Sequence, residues 1–424
     1  MKIILAAKSI YPFHPVGGVQ KNTYHLARCL TGEGVDVEVV APLDGGKPRT
    51  ETVDGVRYTL LAPSIFRYLE YPIGWLGVHR FSASLSRYLQ RNDFDLLHGF
   101  DMVGLQYSKL ENRKPVIATI FTDNYLTNPI SSNPLNILSF FGKKTQFIKQ
   151  EKIKISPFAD MKTILQYPWQ YFLKARPMAE NLNRADLVFV EDESFKQEVA
   201  ELFRLGNDRC DVCPVGLDLS ALDQKIQAAK LKRSDIGLKP EDIVLISVNR
   251  LRADKGVDKI MLAVKALIKD FSIKLLVVGD GYQKEELEAL MRENDLGGHV
   301  FLLGNIAEDE LYDYYRMSDI YICAFSYPGS SLSTLEAMAC SLPMITTAQP
   351  WLLRGHENGM VIENNKPETI AKAVTAILQK GQLKGAGRVS REIVKTYDWR
   401  LIVKSLIKKY EAILHQNRGK DGLV

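Results

Sequence analysis

The chain has 424 residues, 46% of them apolar, enough for two or three domains that each bury a core. With 55 basic and 50 acidic residues its net charge is only +5, so the molecule as a whole lacks the charge excess of a nucleic-acid binder. The 5 cysteines, Cys29, Cys210, Cys213, Cys323 and Cys340, are too few and too scattered for a disulfide framework, and an odd count suits a reducing compartment; the expected location is cytoplasmic.

In chain order, KIILAA reads as a first strand without the small-residue cleavage site of a signal peptide. VDVEVVAP, VRYTLLA, DLLHGF, PVIATIF, DLVFVE and CDVCPVG continue the strand series, with helical patterns between them. After residue 240 the theme repeats in VLISV, KLLVVG, VFLLG, IYICAF, PMITT and GMVI. Val257, Ile260, Met261, Val264, Leu267 and Ile268 mark one intervening helix by their i, i+3, i+4, i+7 spacing. Such alternation predicts parallel sheets with right-handed crossovers, hence an α/β protein. The polar stretch between Val215 and Asp242 reads as the connection between two Rossmann-like domains, 1–217 and 218–399, that face an interdomain cleft. A final amphipathic helix over 400–424 is expected to cross back to the first domain.

One segment breaks the rhythm. From Asn124 to Asn181 nearly sixty residues separate two strands, where a crossover of about a dozen would serve. Lys143, Lys144, Lys149, Lys152 and Lys154 alternate there with Phe and Ile, and YPWQYFLKAR adds further aromatics. Basic residues mixed with aromatics suit an anionic membrane surface, so peripheral contact at the inner face of a membrane is expected through 131–177. A solvated helix packed on its domain is the simpler alternative. No apolar run approaches the roughly 18 to 20 residues that span a bilayer.

The stretch Asp319–Thr347 carries the strongest chemical signal. A buried strand, IYICAF, runs into a loop holding Pro328 and Gly329 and then into a helix, SLSTLEAMA, with Glu336 just inside it. The unpaired N–H groups of a first helical turn attract anions, so this strand, loop and helix suit a nucleotide. Ser333 and Glu336 also fit S-x-x-E, a capping box, in which the carboxylate only reaches back to the backbone. Gly17 and Gly18 follow the first strand and precede a helix, where backbone N–H groups can approach a diphosphate closely; a plain tight turn has the same composition. Arg250 just after one strand and Lys255 just before a helix offer a guanidinium fork and a mobile point charge to the same cleft. Cys210 and Cys213 form a CxxC without the second pair that a zinc site needs.

Taken together and in order, GGVQKNTYHLARCLTGEGVDVEVV, FDLLHGFD, ADLVFVEDES, CPVGLDLS, NRLRADKGVDKI, LLVVGDGYQKEELE, VFLLGNIAEDELYDYYRMSDIYICAF, LEAMACSLPMITT and YDWRLIVKSLIKKYEAIL resemble the glycosyltransferases of family 4, the retaining GT-B group also called glycosyl transferases group 1. The resemblance covers nearly the whole chain. It implies a GT-B fold and an enzyme that transfers a sugar from a nucleotide-sugar donor to a glycan or lipid-linked acceptor, with neither metal nor cofactor. Residue by residue it implies that Gly17 and Gly18 meet the donor diphosphate and sugar, and that Arg250 and Lys255 neutralise the leaving diphosphate. Glu336 would bind the ribose hydroxyls, Leu332 and Ser333 would offer backbone N–H groups to phosphate, with Gly329 in the loop before them, and Gly281 and Asn305 would border the base pocket. Asp93-Phe94-Asp95 matches the DxD of metal-dependent glycosyltransferases but runs straight into a strand, as a turn does.

Three positions depart from the family pattern. Pro328 stands where the first carboxylate of the paired-glutamate motif belongs. Phe121 stands where a histidine is usual, which leaves Asp123 as the nearby candidate catalytic group. Thr346 and Thr347 stand where a glycine pair is usual. These departures keep open a rival reading, a non-catalytic GT-B protein that binds a nucleotide or glycan as the partner of an active transferase.

Overall fold

A computed structural model of the chain describes residues 1–14, 18–43, 47–61, 74–121, 171–326, 331–347, 350–353 and 357–421. The chain divides into two compact units, Met1–Pro214 with Arg400–Val424, and Val215–Trp399.

The first unit is built on an eight-stranded sheet of β1 (Lys2–Ala6), β2 (Asp36–Pro42), β3 (Arg49–Val53), β4 (Val56–Leu61), β5 (Leu96–Phe100), β6 (Val116–Thr119), β7 (Leu187–Val190) and β8 (Cys210–Val212), in the order β3-β4-β2-β1-β5-β6-β7-β8. All neighbours are parallel except β3 and β4. β1, β5 and β6 are almost wholly buried, which explains why they read as continuous apolar runs. β3 is a departure from the expected all-parallel sheet. Its half-exposed RTETV is too polar to stand out, but Asp54 and Gly55, with φ of 47° and 77°, form the Asp-Gly hairpin turn that folds it antiparallel onto β4.

The helix Trp399–Asp421 is fastened to this unit from Arg400 onward. Tyr410 lies 2.7 Å from His98 Nδ1, and Lys409 donates to Val212 O at 3.0 Å and pairs with Asp211 at 2.6 Å. His98 sits fully buried on β5, its other ring nitrogen 2.6 Å from Thr119 Oγ1.

The second unit holds a parallel sheet of β9 (Ile243–Val248), β10 (Ile273–Val278), β11 (Val300–Gly304), β12 (Ile320–Cys323), β13 (Met344–Thr346) and β14 (Gly359–Val361), ordered β11-β10-β9-β12-β13-β14. The stretch expected to connect the two domains is instead part of this unit. It forms the helix Leu219–Ala228, and Leu217, Leu219, Leu222 and Leu238 are buried in one cluster with Tyr315 and Met338. Asp223, polar in sequence, takes a two-pronged contact from Arg391 at 2.6 and 2.7 Å. Its leucines are spaced so that lysines and aspartates face outward while the apolar side is covered, and the polar composition hides that.

Candidate active site

In a parallel α/β sheet, ligands bind beyond the carboxyl ends of the strands, where neighbouring strands send their connections in opposite directions. In the second unit that point lies between β9 and β12, because β10 and β11 continue to one side of β9 and β12, β13 and β14 to the other. The residues after β9 and the helix after β12 are those that the sequence pattern singled out.

After β9 the chain passes Arg250 and makes a short 3-10 turn, Ala253–Lys255, before the helix Val257–Leu267. Gly256 joins the two at φ 66°, and a Cβ there would lie 2.2 Å from Ala324 O. Only glycine allows both that conformation and that approach, so the turn presses directly against the end of β12. Ser326 N–H donates to Asp254 O at 2.9 Å and completes the contact. Lys255 is thereby carried over the Phe325 ring, its Nζ 3.8 Å from the centroid and 3.8 Å from Asp254 Oδ2, with the side chain only 17% exposed. Arg250 is exposed, and among the described residues its guanidinium has no hydrogen-bond or ion-pair partner. Cations held this way, one half-dry and one open, are available to an anion.

Across the switch point stands the helix Leu332–Ala339. Its N-cap is Ser331, in extended conformation, and Thr334 N–H donates to Ser331 O at 3.1 Å. The capping-box reading therefore fails. A capping box needs its carboxylate three residues after the N-cap, where Thr334 stands, and Glu336 lies in the second turn instead. Among the described residues no side chain caps this end and the N–H groups of Leu332 and Ser333 meet no acceptor, the arrangement in which a helix start can bind an anion. The Ser333 hydroxyl is already committed: it donates to Val248 O at 2.9 Å, which ties the helix start to the end of β9. Glu336 is 9% exposed and takes a hydrogen bond from the Tyr315 hydroxyl at 3.3 Å.

Gly281 and Asn305 lie beyond the ends of β10 and β11, on the side of β9 away from β12. A Cβ on Gly281 would be 2.3 Å from Leu251 O, so the loop after β10 packs directly on the loop carrying Arg250. Asn305 is exposed, just past Gly304, whose carbonyl accepts Gly279 N–H at 2.8 Å. Arg250, Lys255, Gly281, Asn305, Leu332, Ser333 and Glu336 thus share one edge of one sheet. Gly18 begins the helix Gly18–Gly32 of the first unit, and a Cβ there would meet nothing within 4 Å. Gly17, Asp123, Pro328, Gly329 and most of 131–177 lie outside the described residues. Phe121 is 3% exposed and stacks on Phe100 with centroids 5.9 Å apart, so it is core and presents nothing polar to a sugar.

Sequence reasoning missed Tyr282 and Tyr315. Tyr282, 74% exposed, accepts Ala253 N–H on its hydroxyl at 3.2 Å and so braces the turn that carries Lys255. Tyr312 and Tyr315, spaced i, i+3 in the helix Glu308–Met317, turn inward and are buried. Two tyrosines on an inward face were the available signal, since a buried phenol usually seeks a polar partner. The DxD carboxylates are engaged in the fold: Asp93 pairs with Lys114 at 2.7 Å, and Asp95 accepts the N–H of Lys2 at 2.7 Å. Burial pushes the Cys210 thiol up to about 11 and that of Cys213 to about 12, which leaves both protonated and inert.

The model of the family described as Glycosyltransferase Family 4 matches residues 16–221, and that of Glycosyl transferases group 1 matches residues 229–390. The chain belongs to glycosyltransferase family 4. Among its family 4 relatives, the phosphatidyl-myo-inositol mannosyltransferase of Mycobacterium leprae is 24% identical over 95% of each chain. The alpha-monoglucosyldiacylglycerol synthase of Streptococcus pneumoniae is 26% identical over 49% of this chain and 45% of its own length. Several curated relatives match over only about half their length, 59%, 45% and 45% in three of them. Sucrose-phosphate synthase from Thermosynechococcus elongatus superposes with a TM-score of 0.74 at 17% identity, over 98% of this chain and 100% of that one, and shows the same GT-B fold. No helix among the described residues of this family 4 chain is long and apolar enough to cross a membrane.

Proposed function

We propose that this protein is a retaining glycosyltransferase that moves a sugar from a nucleotide-sugar donor to a glycan or lipid-linked acceptor, in the synthesis of cell-surface polysaccharide or glycolipid. One observation carries the reading: the connection after β9, with Arg250 and Lys255, and the helix after β12, which carries Glu336 and has no side-chain cap at its N-cap Ser331, flank the switch point between those two strands. Cations and free N–H groups suit a diphosphate, and a carboxylate suits the diol of a ribose. The lipid acceptors in the names of two family relatives favour a lipid-linked acceptor here.

In the reaction the bond from the anomeric carbon to the diphosphate oxygen breaks, with its electron pair leaving on the diphosphate. An acceptor hydroxyl oxygen bonds to the same face of the sugar, and its proton passes to the departing diphosphate. The transition state resembles an oxocarbenium ion, so catalysis consists chiefly in holding the negative charge that grows on the leaving group. Lys255, Arg250 and the N–H groups of Leu332 and Ser333 take that part, and their combined field makes a bound metal ion unnecessary. The testing experiment offers UDP-, GDP- and ADP-sugars with a panel of glycan and lipid acceptors and compares wild type with Lys255→Ala and Glu336→Ala. Transfer by the wild type and its loss in both variants is expected; no binding and no transfer with any donor would refute the proposal.

A further inference from the structure

Glu336 has its own support. The Tyr315 hydroxyl lies 3.3 Å from Glu336 Oε2 and 3.2 Å from Ser333 O, so a single phenol spans the carboxylate and the first helical turn. Its ring is fully buried between Tyr312 and Tyr321, with centroids at 6.2 and 6.4 Å, and cannot swing its hydroxyl elsewhere. Three neighbouring hydroxyls bond to one another. Ser333 Oγ gives its only proton to Val248 O, so the hydroxyls of Tyr321 at 2.9 Å and Ser331 at 2.7 Å both donate to it. Burial first, and the Glu336 charge second, push the Tyr315 phenol far above its ordinary range, so it keeps its proton at any working pH. A core tyrosine with no role in binding would need only some acceptor for its hydroxyl. This one shares its single proton between the Glu336 carboxylate and the Ser333 carbonyl, and so ties the carboxylate to the first helical turn.

We infer that Tyr315 is a positioning residue for Glu336: its phenol proton fixes the orientation of the carboxylate that receives the hydroxyls of the nucleotide's ribose. The inference rests on the donor-site reading above. Groups behind a ligating side chain typically change affinity by tenfold or more when removed, because they set its direction and its charge.

The test uses the full chain and the one of UDP, GDP and ADP that wild type binds most tightly, titrated by calorimetry across pH. Tyr315→Phe, which keeps the ring, should weaken binding about tenfold. It should also move the acid limb of the affinity profile to higher pH, since a carboxylate that loses a donor protonates more readily. In a Glu336→Gln background, Tyr315→Phe should change affinity less than about twofold. Should Tyr315→Phe fold poorly, 3-fluorotyrosine at position 315 keeps the shape and makes the phenol a stronger donor, which should move the acid limb the other way. Unchanged affinity and acid limb in Tyr315→Phe, or an equal loss in the Glu336→Gln background, would overturn the inference while wild-type binding leaves the donor site standing. Absence of binding by wild type to all three nucleotides would overturn both.

Discussion

Replacing Lys255 by methionine removes the charge at the heart of the proposed chemistry while keeping the length of the side chain over Phe325. The side chain is 17% exposed and its ammonium rests 3.8 Å from the centroid of that ring, so it acts from a partly dehydrated position. Two unit charges about 4 Å apart interact by about 4 kcal/mol at an effective dielectric constant of about 20. If roughly half a charge moves onto the leaving group between ground and transition state, Lys255 contributes about 2 kcal/mol to the barrier, or about 30-fold in rate. Loss of a single oxyanion-hole donor elsewhere costs about 10²-fold or more, which sets the upper side of the range. The assay is initial-rate release of nucleoside diphosphate with the best donor and acceptor, with kcat and KM determined separately and folding checked by circular dichroism. A fall in kcat of about 30- to 100-fold with a smaller rise in donor KM is expected. A folded Lys255→Met enzyme with kcat/KM within about threefold of wild type would refute the assignment of Lys255 to the leaving group.

Further outcomes follow from the same geometry. Glu336→Ala should weaken nucleoside diphosphate binding by about tenfold or more and Glu336→Gln by less, since an amide keeps one acceptor; calorimetry on the two variants checks the order. Gly256→Ala places a methyl group 2.2 Å from Ala324 O at φ 66°, so it should cost about 3 kcal/mol or more and lower the thermal midpoint of the second unit by about 6 °C or more. Burial depresses the His98 imidazole to about 3, so the folded protein holds it neutral while the unfolded chain takes up the proton first. Its contribution to stability is full above about pH 6.5 and is lost as pH falls toward 3, approaching about 1.4 kcal/mol per pH unit between those limits. Urea midpoints between pH 7 and pH 5 should therefore fall more steeply for wild type than for His98→Gln.

The strand series and the helix periods were legible because each buried parallel strand is a short apolar run and each helix must cover the sheet with one apolar stripe. β3 escaped because an edge strand has few buried positions, and Leu219–Ala228 escaped because leucines spaced for burial were outnumbered by polar neighbours. The candidate cations and Glu336 were legible as motifs, yet the motif for Glu336 admitted a second meaning. Ser333 and Glu336 have capping-box spacing whatever the fold does, and only the position of the N-cap, one turn's geometry at Ser331, decides between the two. Phe121 shows the reverse case, a residue in a site position by alignment of motifs that the packing against Phe100 assigns to the core.

The amino-acid order alone determined the α/β class, the family and the identity of the candidate ligand-binding residues, because periodicity, loop composition and residue type are local properties of the chain. That the segments carrying Arg250, Lys255 and Glu336 follow neighbouring strands was decided only by the strand order β11-β10-β9-β12-β13-β14, which sets β9 beside β12 although some seventy residues lie between them. The support behind them was decided there too. Gly256 against Ala324, Lys255 over Phe325 and Tyr315 against Glu336 are contacts between separate segments of chain, and close contact of that kind is fixed by packing, where no local pattern records it.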